Sequence, residues 1–199
     1  NRDVKWINNF NEIKKGPAIF FGNEFFDAIP IKQFKKIKNS LFEKNYTLDK
    51  NYKIKEVFKK ASIANIKVID SYKSLKKLTF IEFPKFGFQE LKKIIKKISK
   101  LNGCILIIDY GYLKSNNQNT LQSVMKHKKN SLLSNLGKAD VTAHVNFEHL
   151  AEFFSKNGLK AKNIITQKQF LESMGILERA RILARKMKFK EKSDLYLRI

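Results

Sequence analysis

The sequence predicts an α/β fold with a parallel sheet, and three observations predict it. A short apolar run at residues 18–21 follows Gly16-Pro17 and stops at the polar cluster Gly22-Asn23-Glu24. An amphipathic stretch at 88–101 passes through Asn102-Gly103 into a second apolar run at 104–108, which likewise ends in an acid and a glycine, Asp109-Tyr110-Gly111. Helix, glycine turn and buried strand in this order make the second half of a βαβ unit. Third, 199 residues of 43% hydrophobic composition are enough for one domain with a sizeable core.

In open α/β sheets ligands bind beyond the carboxyl ends of the strands, so Asn23, Glu24 and Asp27 become the first site candidates. Residues 31–58 turn polar and β-prone, with loose alternation in IKQFKKIK and YKIKEVF around the turn-like LDKN. They predict a hairpin or two strands. Because VIDSY and LTFIEF read as further strands, the β-rich insertion runs over 31–83 within a single domain spanning 1–199.

In the stretch 88–101, Phe88, Leu91, Ile94, Ile95, Ile98 and Leu101 share one helical face, and Lys92, Lys93, Lys96, Lys97 and Lys100 the other. Residues 112–140 are polar and predict a long loop with a short helix near 121–126; such loops are functional lids or disordered. Asn146 can cap a helix over 147–157, with Phe147, Leu150, Ala151 and Phe154 inward and Gly158 after its end. A strand is expected at 159–166 and two helices over 168–189, broken at Gly175. The terminal DLYLRI is strand-like with nothing to close it, and the first residue is Asn1 rather than Met, so a piece of a longer protein is expected.

The net charge is +23, from 41 basic and 18 acidic residues, and pI is near 10.0. That would normally raise nucleic acid or an anionic membrane as partners. Only Arg2, Arg179, Arg181, Arg185 and Arg198 are arginines, whereas bidentate phosphate recognition draws on arginine's planar fork. Lys, Asn, Ile and Phe are abundant together and share A/T-rich codons, so base bias explains the charge as well. Nucleic acid is therefore disfavoured. Cys104 is the only cysteine and lies in an apolar run, where a thiol packs as a small hydrophobe and no internal disulfide is possible. His127, His144 and His149 show no metal-ligand spacing, so no metal is expected, and no run reaches the ~18–20 apolar residues of a membrane span.

Glu24 and Asp27 admit two readings: functional carboxylates, or acids favoured in the first turn of a helix by its dipole. Asp109 could contact a substrate or cap the next turn, the second being slightly favoured. Tyr110 could stack on a substrate or cofactor face or sit partly buried. His127 and His144 are weaker candidates, as proton acceptor or substrate contact. Phe25 and Phe26 read as wedges of the loop into the core.

Three blocks, GNEFFDAIP (22–30), ILIIDYG (105–111) and GKADVTAHVNF (137–147), together resemble the MidA family of S-adenosylmethionine-dependent methyltransferases, which includes the mitochondrial complex I assembly methyltransferase. HKK at 127–129 and LESMGI at 171–176 are similar to later blocks of that family. The resemblance implies a Rossmann-like class I methyltransferase fold, with 18–21 as its fourth strand and 104–108 as its fifth. It also implies S-adenosyl-L-methionine as cofactor and a protein substrate methylated at arginine, a complex I subunit for the mitochondrial member. Glu24 would then be first and Asp27 second to hold the acceptor cation, with Asn23 orienting the acceptor or the cofactor edge. The expected location is the cytoplasm for a bacterial parent and the mitochondrial matrix for a eukaryotic one; a homodimer is compatible with either.

The chain also departs from the family. It has eight glycines but no GxG, so the cofactor-cradling loop is expected upstream of Asn1. Tyr112 stands where the family often has His, and Asn146 where it often has Asp. Two other functions compete: a non-catalytic interaction module, and a nucleic-acid-binding domain using the lysine face of 88–101. Without its first strands the piece is expected to be inactive by itself and to expose apolar sheet.

Overall fold

A computed structural model describes residues 4–199 and divides the chain into two compact units, at Ala161 and Lys162.

In the first unit a 3-10 turn over Phe10–Glu12 precedes β1 (Ile19–Asn23). The segment expected to be a hairpin or two strands makes three: β2 (Lys32–Ile37), β3 (Ser40–Leu48) and β4 (Ile54–Lys60). VIDSY is not a strand. It lies in and just after α1 (Ile63–Asp70), because the Ser62 hydroxyl accepts the Asn65 N–H at 3.2 Å and starts a helix that buries Asn65 and Ile69. Strand β5 (Phe80–Phe83) comes next, within the expected LTFIEF. It joins an antiparallel sheet of order β4-β3-β2-β5.

Helix α2 (Lys85–Lys100) keeps the expected amphipathic pattern, with Phe88, Leu91, Ile95 and Ile98 buried. It returns the chain to β6 (Cys104–Ile108), which pairs in parallel with β1 from Ile19↔Cys104 to Asn23↔Ile108. One face of this pair meets the core through Ile105 and Ile107, while Ile19 and Phe21 are 73% and 62% exposed.

The next strands replace the expected long loop. β7 (Gly111–Tyr112) is succeeded by β8 (Gln122–Met125) and β9 (Lys128–Asn130), so the short helix expected near 121–126 is a hairpin. Lys126 and His127, at φ 50° and 60°, form its turn; both are left-handed as a type I′ turn requires, without the Asn-Gly pair that usually announces one. β10 (Asp140–Thr142) pairs with β8, and β11 (Val145–Asn146) pairs in parallel with β7. Gly111 is obligatory there, since a Cβ would lie 2.1 Å from the Val145 carbonyl oxygen.

Asn146 caps α3 (Phe147–Lys156) as expected, its Oδ1 accepting the His149 N–H at 3.0 Å. Phe153 is fully buried and stacks on Phe88 with ring centroids 4.0 Å apart, joining α3 to α2. Burying a side chain of that size contributes about 1.5–3 kcal/mol. The strand expected at 159–166 is absent: Leu159 gives its N–H to Phe154 O at 3.0 Å, ending the helix beside left-handed Gly158, and no ladder takes up the chain beyond.

The second unit holds three helices, α4 (Gln167–Ser173), α5 (Ile176–Ala184) and α6 (Phe189–Leu197). Thr166 and Gln169 form a capping box on α4, and the expected break falls at Gly175, φ 82°. DLYL of DLYLRI is helical rather than a strand, because the Lys188 N–H bonds Glu191 Oε2 at 2.9 Å and starts α6, which runs on through Leu197.

Candidate functional site

The parallel register brings Asn23 opposite Ile108, so the chain leaves both strands at one level. The two exit segments are therefore brought together: Glu24, Phe25, Phe26 and Asp27 after β1, and Asp109 and Tyr110 after β6. The Glu24 N–H continues the ladder to Ile108 O at 2.9 Å, and its backbone then turns left-handed, φ 48°. For a residue with a Cβ such a conformation costs on the order of 1–3 kcal/mol and persists only where its surroundings enforce it.

Asp109 is what enforces it. Its Oδ2 accepts the N–H groups of Phe25, Phe26 and Asp27 at 3.2, 2.7 and 3.3 Å, and its Oδ1 accepts the Tyr110 N–H at 2.8 Å. Three consecutive N–H groups converging on one oxygen form a main-chain nest, here filled by a side chain. Of the two sequence readings of Asp109, this geometry is the turn-capping one, although the turn lies on the neighbouring strand.

Tyr110, 60% exposed, donates its hydroxyl to Glu24 Oε1 at 3.2 Å. The adjacent carboxylate of Glu24 pushes the phenol above its ordinary pKa. Burial, and then the carboxylates of Asp109 and Glu24, push the Asp27 carboxyl above its usual range. Three acids around one loop thus give this site a concentrated negative charge. Asn23 is exposed at the end of β1. Phe25 is 62% exposed and meets Phe26 edge-on at 5.7 Å, so only Phe26 is packed against the core as the wedge reading expected of both.

The two histidine candidates lie elsewhere. His127 forms the β8–β9 turn. His144 is exposed, and its main-chain N–H bonds the Thr120 hydroxyl at 2.9 Å. It borders a cavity under the 24–30 loop, together with Phe26, Ile29, Glu82, Tyr112, Asn146 and His149. The sequence singles out His144, Tyr112 and Asn146 of this polar group, but not Glu82. Glu82, lost among the alternations of a strand, accepts Gln33 Nε2 at 2.8 Å, Thr120 N and Oγ1 at 3.1 and 2.5 Å, and Leu121 N at 3.2 Å. Burial, aided by the charge of Glu82, pushes the Tyr112 phenol up to about 12.

A mixed α/β architecture with candidate groups clustered beyond parallel strand ends is of the class I methyltransferase-like kind. Two crystal structures from Burkholderia thailandensis share it. One superimposes with a TM-score of 0.76 at 18% identity, covering 96% of this chain and 53% of that one. The other, bound to S-adenosyl-homocysteine, gives a TM-score of 0.73 at 18% identity over 96% and 49%.

Residues 1–165 match the family described as "Putative S-adenosyl-L-methionine-dependent methyltransferase", and the chain belongs to that family. It is 29% identical over 197 residues to the mitochondrial protein arginine methyltransferase NDUFAF7 homolog of Caenorhabditis elegans, covering 96% of this chain and 45% of that protein. Against NDUFAF7 of Danio rerio the figures are 27% over 183 residues, 90% and 42%. Against human NDUFAF7 they are 25% over 181 residues, 90% and 40%. The chain thus spans less than half the length of these curated relatives. Among the described residues no helix is long and apolar enough to cross a membrane.

Proposed function

We propose that the protein to which these residues belong is an S-adenosylmethionine-dependent methyltransferase acting on arginine of a protein, and that residues 1–199 form a partial methyltransferase domain with 31–83 inserted in it. The observation that carries this reading is the acidic loop beyond β1, with Glu24 hydrogen-bonded to Tyr110 and Asp27 raised in pKa by its neighbours. The relatives named as protein arginine methyltransferases supply the acceptor type; their mitochondrial association makes a complex I subunit the acceptor to try first, and the matrix the location in a eukaryote.

S-adenosylmethionine, when bound, supplies a methyl group on a sulfonium. The carboxylate chemistry of the loop fits that cation, with Asn23 at the cofactor edge; the sequence has no GxG to cradle the rest. On the acceptor side, Glu24 binds the guanidinium and localises its charge, leaving one nitrogen free to attack. Tyr110 fixes the carboxylate of Glu24. Asp27, whose proton affinity is raised, accepts the proton that the attacking nitrogen loses. Such alignment is worth up to ~7–11 kcal/mol in displacement reactions.

The test uses the full-length parent: calorimetry with S-adenosylmethionine, then mass spectrometry of methylarginine in cells expressing the wild type or Glu24→Gln. Binding with methylarginine that depends on Glu24 is expected. No binding at millimolar cofactor would leave the interaction-module reading in its place.

A further inference from the structure

Among the described residues, Nε2 of His149 is the buried side-chain polar atom that has no hydrogen-bond partner. The residue is 1% exposed, and its ring lies among Tyr72, Phe83 and Phe88 at centroid distances of 4.4, 5.5 and 4.9 Å. It lines the cavity beneath the candidate loop, of about 40 Å³, bounded on its apolar side by Phe26, Ile29, Leu91 and Leu150. A cavity needs ~10–15 Å³ to admit one water, so this one has room for about three or four non-hydrogen atoms.

The far side of the ring fixes what Nε2 can do. Glu152 accepts the main-chain N–H groups of Lys73 and Ser74 at 2.7 and 2.9 Å, which sets its carboxylate beside the Ser74 residue. An ionised carboxylate only accepts, so the Ser74 proton points to Glu152, and Ser74 Oγ is left to accept from His149 Nδ1, 3.3 Å away. Nδ1 then carries the imidazole proton, and Nε2 is a bare lone pair. Burial holds the ring neutral, pushing its pKa down to about 4.

Two other polar groups at the cavity, Glu82 and Asn146, are already engaged. Four donors fill Glu82. Asn146 is held by His149 N–H and by Ser115. An anion would face a carboxylate, a phenol and an uncharged imidazole. We infer that this cavity binds a small uncharged hydroxyl, that of a water or a short alcohol, which donates its hydrogen bond to Nε2 of His149. The pairing would give the imidazole its second partner and place an exchangeable polar group directly under Phe26 and Ile29.

Because the chain has three histidines, selective ¹⁵N-histidine labelling resolves the site without fragmenting the protein. At neutral pH, long-range ¹H–¹⁵N spectra should show His149 protonated at Nδ1 alone, with cross-relaxation from a bound water to its ring protons. Methanol, the second probe, distinguishes the sources. Saturable shifts confined to His149, with loss of the water signal, mean that the site takes alcohols; an unchanged water signal means that it takes water alone. Both outcomes support a hydroxyl site. A proton on Nε2, or no water cross-relaxation together with no saturable methanol shift, overturns it. Ser74→Ala should abolish the single tautomer while His149 remains visible.

Discussion

The carboxylate of Asp109 accepts the main-chain N–H of Phe26 at 2.7 Å across 83 residues of sequence, which makes the end of β6 the template for the loop after β1. Asp109→Asn keeps the volume but loses the charge and one accepting oxygen. Hydrogen bonds to charged groups contribute ~1.5–3 kcal/mol, and these are partly solvated, so a loss of about 1–2 kcal/mol is expected in urea denaturation. The proposed methyl transfer should fall further than stability, because the substitution disorders the loop that carries Glu24 and Asp27. A variant with normal transfer would remove Asp109 from the site.

Glu24 gives a stability–activity contrast. At φ 48° its Cβ is a burden that glycine lacks, so Glu24→Gly should stabilise the fold by roughly 1 kcal/mol while abolishing the proposed arginine methylation. Glu24→Gln retains the Cβ and should lose activity with little change in the melt. If Glu24→Gly were the less stable variant, the strain assigned to this turn would be wrong.

Asp27 and His149 have opposite pH signs. The Asp27 carboxyl is raised above 3.8 in the fold, so its contribution is full below the unfolded value and is lost as pH rises through the folded one. Asp27→Asn should therefore be more stable than wild type at pH 7, the gap closing toward pH 3.8. His149 is depressed from 6.5 to about 4, so its contribution is full above 6.5 and is lost as pH falls to about 4. Over that window it amounts to ~3 kcal/mol. Denaturant midpoints measured from pH 7 to 4.5 should fall in the wild type and flatten in His149→Phe.

The features that positioned the site were legible where the signal is local. Residues 18–21 and 104–108 read as strands because continuous apolar runs bounded by Gly suit a buried parallel pair, and α2 because its lysines and aliphatics alternate at helical period. Their adjacency could be expected; the Asp109 nest could not, since no periodicity encodes a side chain capping a turn 83 residues away. β8 and β9 escaped because a type I′ turn at Lys126-His127 uses residues that do not advertise positive φ. His149 escaped because one histidine on an apolar helical face looks like any other core residue; its distinction lies in Ser74 and Glu152.

Glu82 makes the last prediction, because it holds a long segment in place from a single carboxylate. Thr120 and Leu121 give it three hydrogen bonds, and Thr120 Oγ1 in turn accepts the His144 N–H, so the chain on either side of the β8–β9 hairpin is tied to β5. Glu82→Gln leaves one accepting oxygen for four donors and a second amide that has to find its own acceptor. Leaving a partly buried donor unsatisfied costs ~1–3 kcal/mol, which corresponds to opening about 5- to 160-fold more often. Hydrogen exchange at the Thr120 and Leu121 amides should accelerate by that factor, while amides in the β3–β4 pairing, remote in register from Glu82, should not change. Uniform acceleration throughout the sheet would instead mean that Glu82 stabilises the whole unit rather than this segment.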